Sequence, residues 1–190
     1  LENVTGFKKH KKGIHYGDFL KNLQDNDRYV VNDVVLDSFD FGVPQSRNRL
    51  YIVGILRKDL RRGHTGWTQP EPTTPKGRRV DISAVLDRDQ PMRTEDMTDM
   101  NWQALMRLTL KFPDLWEQPY VASLDQSPEW SSAHNGYSPI LSRSHSDALY
   151  LTNEHRFLNP NEVYRLQGFP DSFKKHRLKG ALKNQIGNSM

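Results

Sequence analysis

Apolar positions in this chain fall into short groups, and the spacing within each group predicts an element. Between Asp18 and Leu23, the side chains of Phe19, Leu20 and Leu23 share one helical face and predict a short amphipathic helix. Tyr29 to Leu36 is Val-rich and reads as a buried strand, and Asp37 to Pro44 supplies the residues of a turn. Leu50 to Leu56 is apolar on both faces and predicts a second strand covered on both sides. The pattern then breaks: Arg57, Lys58, Arg61 and Arg62, with the Gly and Pro residues up to Lys76, predict a charged connector and a domain boundary. Arg79 to Leu86 predicts a strand followed by a short helix. A longer helix is predicted over Asp99–Lys111, where Trp102, Leu105, Leu108 and Phe112 recur every three to four residues before Pro113. Short strands and turns follow to Asp147. The sharpest local signal comes last. Asn159 as N-cap, Pro160 in the first helical position and Glu162 as its capping-box partner start a helix that Gly168 ends, with Leu158 and Val163 as a hydrophobic staple.

Composition changes this picture in one respect. Only 35% of the 190 residues are hydrophobic, and mean hydropathy is −0.79, below a typical domain of about 45–50% apolar residues even when glycine is counted. The chain is short of core for its length, which predicts a segment of something larger or a need for a partner surface. Lys and Arg (27) exceed Asp and Glu (23), a mild excess that permits an anionic partner without demanding one. The complete lack of cysteine excludes a disulfide framework, a cysteine zinc site, an iron–sulfur cluster and a thiol nucleophile within these residues. No apolar run approaches the ~18–20 residues of a membrane span, so a soluble intracellular protein is expected.

Candidate chemistry is sparse when the residues are taken alone. Arg47 and Arg49 stand two apart where the chain enters a strand, so in extended backbone they share a face. Such a pair can grip an anion or a carboxylate, or it can be a surface ion-pair feature; both readings stand at this point. The seven histidines show no metal-ligand spacing, and no metal site is expected. The run Lys8-Lys9-His10-Lys11-Lys12 reads as a solvated loop.

Four pieces in one order carry a resemblance. Glu2-Asn3-Val4, then Asp40-Phe41-Gly42-Val43-Pro44-Gln45-Ser46-Arg47-Asn48-Arg49, then Arg156 to Glu162 with Arg165-Leu166-Gln167-Gly168-Phe169-Pro170-Asp171, then Gln185-Ile186-Gly187-Asn188-Ser189 closely resemble the DNA cytosine-5 methyltransferases. The resemblance covers residues 1–56 and 150–190 and implies the later half of such an enzyme. It implies an α/β fold with an incomplete Rossmann-like sheet, residues 1–56 being the later part of the catalytic domain. Residues 57–150 would be a smaller, irregular, β-rich target-recognition region, and 151–190 a helix and closing segment. The implied reaction transfers a methyl group from S-adenosylmethionine to C5 of a cytosine flipped out of double-stranded DNA. Glu2 would hydrogen-bond N3 and the exocyclic amine, and a carboxyl that delivers a proton there needs shelter from water. Arg49 would lie near the base O2 and the adjacent phosphate, Arg47 would hold the Glu2 side of the pocket, and Asn188 and Ser189 would close the cofactor pocket.

In the recognition region Arg78, Arg79, Ser142, Arg143 and His145 are the implied DNA-contacting candidates, and Lys174 to Arg177 could meet phosphates. The family's Pro-Cys nucleophile motif and glycine-rich cofactor loop are absent from these 190 residues. The resemblance places both upstream of Glu2, in a missing half or a complementary subunit, so this chain is expected to be inactive alone. Ile140-Leu141 stands where the family has Thr-Leu, and Asn159 where it has Thr or Ser. A cytoplasmic, nucleoid-associated location follows if the source is bacterial. The competing expectation is a non-catalytic DNA-binding or recognition subunit.

Overall fold

The computed structural model describes residues 1–76, 78–88, 90–91, 97–141 and 148–174. At the N-terminus, β1 (Glu2–Val4) precedes α1 (Gly6–Lys9) and α2 (Ile14–Gln24). Lys11, Lys12 and Gly13 all take positive φ, at 46°, 58° and 82°. This left-handed run reverses the chain between the two helices and lets α2 start four residues before the apolar pattern alone predicts. Phe7 packs edge-on against Tyr16 and Phe19, at 5.6 and 5.9 Å between ring centroids, and so ties α1 to α2.

β2 (Tyr29–Asp37) and β3 (Asn48–Leu56) pair antiparallel along their whole length, from Tyr29 opposite Leu56 to Asp37 opposite Asn48. β1 adds to the other edge of β3, giving the order β1-β3-β2. The short link between β2 and β3 leaves room for a turn and none for the crossover a parallel pair needs. Strand alternation puts Leu50 and Ile52, both buried, on the face of Asp33, which ion-pairs with Lys8 of α1 at 2.6 Å. The opposite face, with Arg49, Tyr51 and Val53, is only half-buried. β3 is therefore well covered on one side, not on both as its apolar run predicts.

The second sheet has the order β5-β4-β6-β7, from β4 (Tyr120–Ser123), β5 (Ser132–Asn135), β6 (Leu149–Leu151) and β7 (Arg156–Phe157), with every pairing antiparallel. Both faces of this sheet are packed. Tyr120, Ala122 and Tyr150 meet Ala104, Leu105 and Leu108 of α3 (Asp99–Lys111). Val121, Leu149 and Leu151 meet Ile82, Val85 and the Val163 and Tyr164 side chains of α4 (Pro160–Arg165).

Of the strand and short helix expected over Arg79–Leu86, the helix forms and the strand does not: Asp81 accepts from the Ser83 amide at 2.9 Å and starts a single helical turn over Ile82–Ala84, with Ile82 and Val85 as anchors. Trp102 is 43% exposed, because Asn101 takes its inward place, closing the Thr98 capping box and donating to the Leu124 carbonyl at 2.9 Å. β6 spans Leu149–Leu151, and Leu158, Val163, Tyr164 and Leu166 pack with Val121 and Leu151 of the second sheet. Around Asn159 the predicted capping box is present in full, its side chain accepting from the Asn161 and Glu162 amides while Glu162 accepts from the Asn159 amide. α4 closes at Arg165, and Gly168 at φ 79° ends the turns that follow.

Candidate active site

Glu2 sits on β1 opposite Tyr51, and Arg49 on β3 opposite Val4. Alternation directs both to the half-buried face, where Arg49 Nε meets Glu2 Oε1 at 2.9 Å with side-chain exposures of 15% and 18%. Arg49 Nη1 also donates to the Asn48 carbonyl at 2.9 Å, which fixes the plane of the guanidinium. Arg47 stands just before the strand and donates from Nη1 to Gln167 Oε1 at 3.1 Å. Burial first, then the charge of Arg49, lowers the Arg47 guanidinium from its ordinary value, while Glu2 and Tyr51 act to raise it. A guanidinium stays charged through such shifts. Both arginines line one cleft of about 350 Å³ together with Leu36, Phe41, Tyr51 and Gln167. The two-residue spacing thus does bring them to a common cleft beside a carboxylate.

The residue that holds this arrangement is Asp37, which the sequence marks only as the start of a turn. Its Oδ1 accepts from the Phe39 and Arg47 amides at 3.2 and 2.9 Å, and its Oδ2 accepts from Ser46 Oγ and Asn48 Nδ2 at 2.9 and 3.0 Å. One carboxylate thereby pins the turn after β2 to the loop entering β3. The signal available in the sequence was an Asp followed two residues later by a backbone donor, the Asx pattern. Ser38 Oγ donates to the Gln45 carbonyl and closes the same loop. Gln167 is the second residue that reading by motif left without a role.

The second sheet is attached at this point. Gln45 bridges Ser138, whose amide donates to the Pro44 carbonyl at 2.8 Å, and Phe39 packs edge-on against Tyr137. Behind the seam lies a buried polar clamp. Arg156, 2% exposed, makes a two-pronged pair with the fully buried Glu162 at 2.8 Å on both arms. Glu162 also accepts from the Asp87 amide, and Arg165 reaches Asp87 at 2.6 Å. Hydrogen bonds from Asn159 and Arg165 hold the Asp87 carboxyl below its usual range.

Of the implied DNA-contacting residues, Arg78 is exposed. Arg79 lies over the rings of Phe39 and Tyr137, its guanidinium carbon 5.1 and 5.2 Å from their centroids. Ser142, Arg143 and His145 lie outside the described residues, as do Asn188, Ser189 and Lys175 to Arg177. Among the described residues no group of three or more His, Cys, Asp or Glu side chains could hold a metal ion, and no helix is long and apolar enough to cross a membrane. The cleft does not fit the implied methyl donor, because a sulfonium cation gains nothing beside two guanidiniums.

Two antiparallel sheets with helices against them, and a cleft between them lined by two arginines, define a mixed α/β protein. The chain belongs to the C-5 cytosine-specific DNA methylase family, whose sequence model matches residues 1–190. It is 29% identical over 197 residues to Type II methyltransferase M.HaeII of Haemophilus aegyptius and 30% identical over 196 residues to Type II methyltransferase M.NlaX of Neisseria lactamica. Each alignment covers 100% of this chain but 55% and 57% of those proteins, so the chain spans about half the length of the curated relatives it matches. The fold is shared with the Entamoeba histolytica methyltransferase EhMeth, at TM-score 0.55, 20% identity and coverage of 99% of this chain and 56% of that one. It is shared also with the S. pombe Dnmt2 methyltransferase, at TM-score 0.51, 17% identity and coverage of 100% and 60%.

Proposed function

We propose that this chain supplies the carboxyl and guanidinium side of an active site that methylates C5 of a cytosine swung out of duplex DNA. The observation that carries the reading is the Glu2–Arg49 pair at the edge of the cleft, in a chain of this family. Addition of a nucleophile at C6 drives electron density onto the ring, and N3 has to be neutralised as it does so. Glu2 is the group for that work, hydrogen-bonding N3 and the exocyclic amine and delivering the proton to N3. Arg49 trades part of its hold on Glu2 for the base O2 and the neighbouring phosphate, where a planar, permanently charged donor fork is suited to both. Arg47, anchored by Gln167 and by its own amide to Asp37, keeps the second charge at the rim of the pocket.

S-adenosylmethionine would supply the methyl group, and by the family resemblance Asn188 and Ser189 would close its pocket. The chain contains no cysteine, so the thiolate that adds to C6 comes from outside these 190 residues. The Rossmann-like sheet, the assignment of 57–150 to target recognition with 1–56 and 151–190 catalytic, and a cytoplasmic site of action belong to the same proposal. Transfer of tritiated methyl from S-adenosylmethionine to duplex DNA, measured on the complete protein that carries this chain, is expected to fall about 10²–10⁴-fold in Glu2→Gln with duplex binding retained. Unchanged turnover removes Glu2 from the mechanism. The alternative is a recognition subunit that binds DNA without turnover; binding with no methyl transfer by the complete protein selects it.

A further inference from the structure

On the far side of the Pro44–Arg47 loop lies a second concavity, of about 380 Å³. Gln45 and Arg47 line the cleft described above, while Ser46 between them lines this cup. Its floor is the polar β5 side of the sheet face that carries Val121, where Ser123, Ser132 and His134 stand. Ser132 and His134 alternate with buried Ala133 along the edge strand β5, and Ser132 lies opposite Ser123 of β4. Gln126 Nε2 reaches Ser123 Oγ at 3.4 Å, and His134 Nδ1 pairs with the Tyr137 hydroxyl at 2.9 Å. Burial first, and the charge of Lys111 second, hold the His134 imidazole below its ordinary value, so the ring is neutral at physiological pH. Ile140, 51% exposed, stands at the rim.

The chemistry of this lining selects a ligand class. No lysine, arginine or carboxylate is among the described lining residues, and the charged groups next to them are turned to other work, Asp125 accepting from Ser123 at 2.9 Å and Arg79 stacking on Tyr137, so the cup is unsuited to a phosphate, whose contacts come mostly from charged donors. It offers hydroxyls, one carboxamide and one neutral imidazole, the groups that exchange hydrogen bonds with the edge of a base. A carboxamide pairs with adenine N6 and N7, and an apolar rim suits the thymine methyl, whereas guanine is read by arginine. Arg79, stacked over the ring of Tyr137 at the edge of the cup, supplies the adjoining positive charge for the backbone.

We propose that this cup, through Gln126, Ser132, His134 and Ile140, reads the major-groove edge of one A·T pair beside the methylated cytosine. The proposal rests on the DNA reading given above. The test selects binding sites from a randomised duplex library with the complete protein that carries this chain, in wild-type form and as Gln126→Ala, Gln126→Glu and Ser132→Ala. Far-UV circular dichroism and melting serve as the check that each variant folds. Wild type is expected to enrich A·T at one position. Gln126→Ala flattens that position alone by about tenfold, and Gln126→Glu moves it toward cytosine, whose amine a carboxylate accepts. Ser132→Ala gives a smaller loss at the same position and stands in should the Gln126 variants not fold. A uniform loss at all positions with a changed salt slope, or an unchanged preference in every variant, overturns the assignment of the cup. A wild-type protein that binds no duplex overturns the DNA reading itself and the cup with it.

Discussion

The sheet around Glu2 and the sheet around Val121 differ first in what lies against them. Among the described residues, every buried hydrophobic side chain other than Leu50 and Ile52 lies between Ile82 and Leu166. The second sheet is thus held by burial on both faces, with α3 on one and α4 on the other. The first sheet has one covered face, and its cleft side is ordered by hydrogen bonds and charges converging on Asp37, Arg47 and Arg49. Hydrophobic burial is strong but non-directional, which suits a scaffold. A site that must aim a carboxyl and two guanidiniums needs directional bonds, and they are found where the packing is thinnest.

Breaking the buried clamp inside the second unit has the largest expected effect. Glu162→Ala leaves Arg156 buried without its two-pronged partner and removes half of the α4 capping box; a loss of about 3–5 kcal/mol in urea unfolding is expected. A loss below about 1 kcal/mol would show that Glu154, 2.7 Å from Arg156 Nε, suffices by itself. Asp37→Ala comes next. Four donors lose one acceptor residue, at about 1–3 kcal/mol where a donor is left buried, and the effect is local: exchange of the Phe39 and Arg47 amides accelerates while that of β4 and α3 does not. Equal acceleration in both sheets would erase the contrast drawn above.

The smallest effect is a pH slope. His134 is held neutral in the fold, its imidazole lowered by burial and by Lys111. The unfolded chain therefore binds a proton that the folded one refuses as pH falls below about 6.5. Stability from this source is complete above that pH and lost as pH falls toward the folded value. His134→Gln is expected to flatten the stability curve below pH 6.5, and an unchanged slope would place the imidazole in water.

Local rules were enough for some elements and not for others. The α3 bounds and the Asn159 capping box were legible because caps and stops act over three or four residues. Trp102 was misplaced because Asn101 is bonded to the Leu124 carbonyl, 23 residues away, a contact that no helical period contains. Of the strand and short helix expected over 79–86, only the helical turn formed, set by the Asp81 cap and by two anchors, Ile82 and Val85, that belong to the core of a distant sheet. Arg47 and Arg49 were marked by their spacing and Glu2 by resemblance, whereas Asp37 and Gln167 emerged only once the loops they join were in place.

The order of residues by itself determined which segments could be helix or strand, the caps that bound them, the family, and the carboxyl and guanidinium groups available for chemistry. Those properties depend on neighbours along the chain. The tertiary structure alone decided that Glu2 meets Arg49, that Asp37 pins both loops, and that Ser46 lines a second concavity while its neighbours line the cleft. Each of these depends on groups brought together by strand pairing and packing across long stretches of chain, and the sequence carries no local trace of that distance.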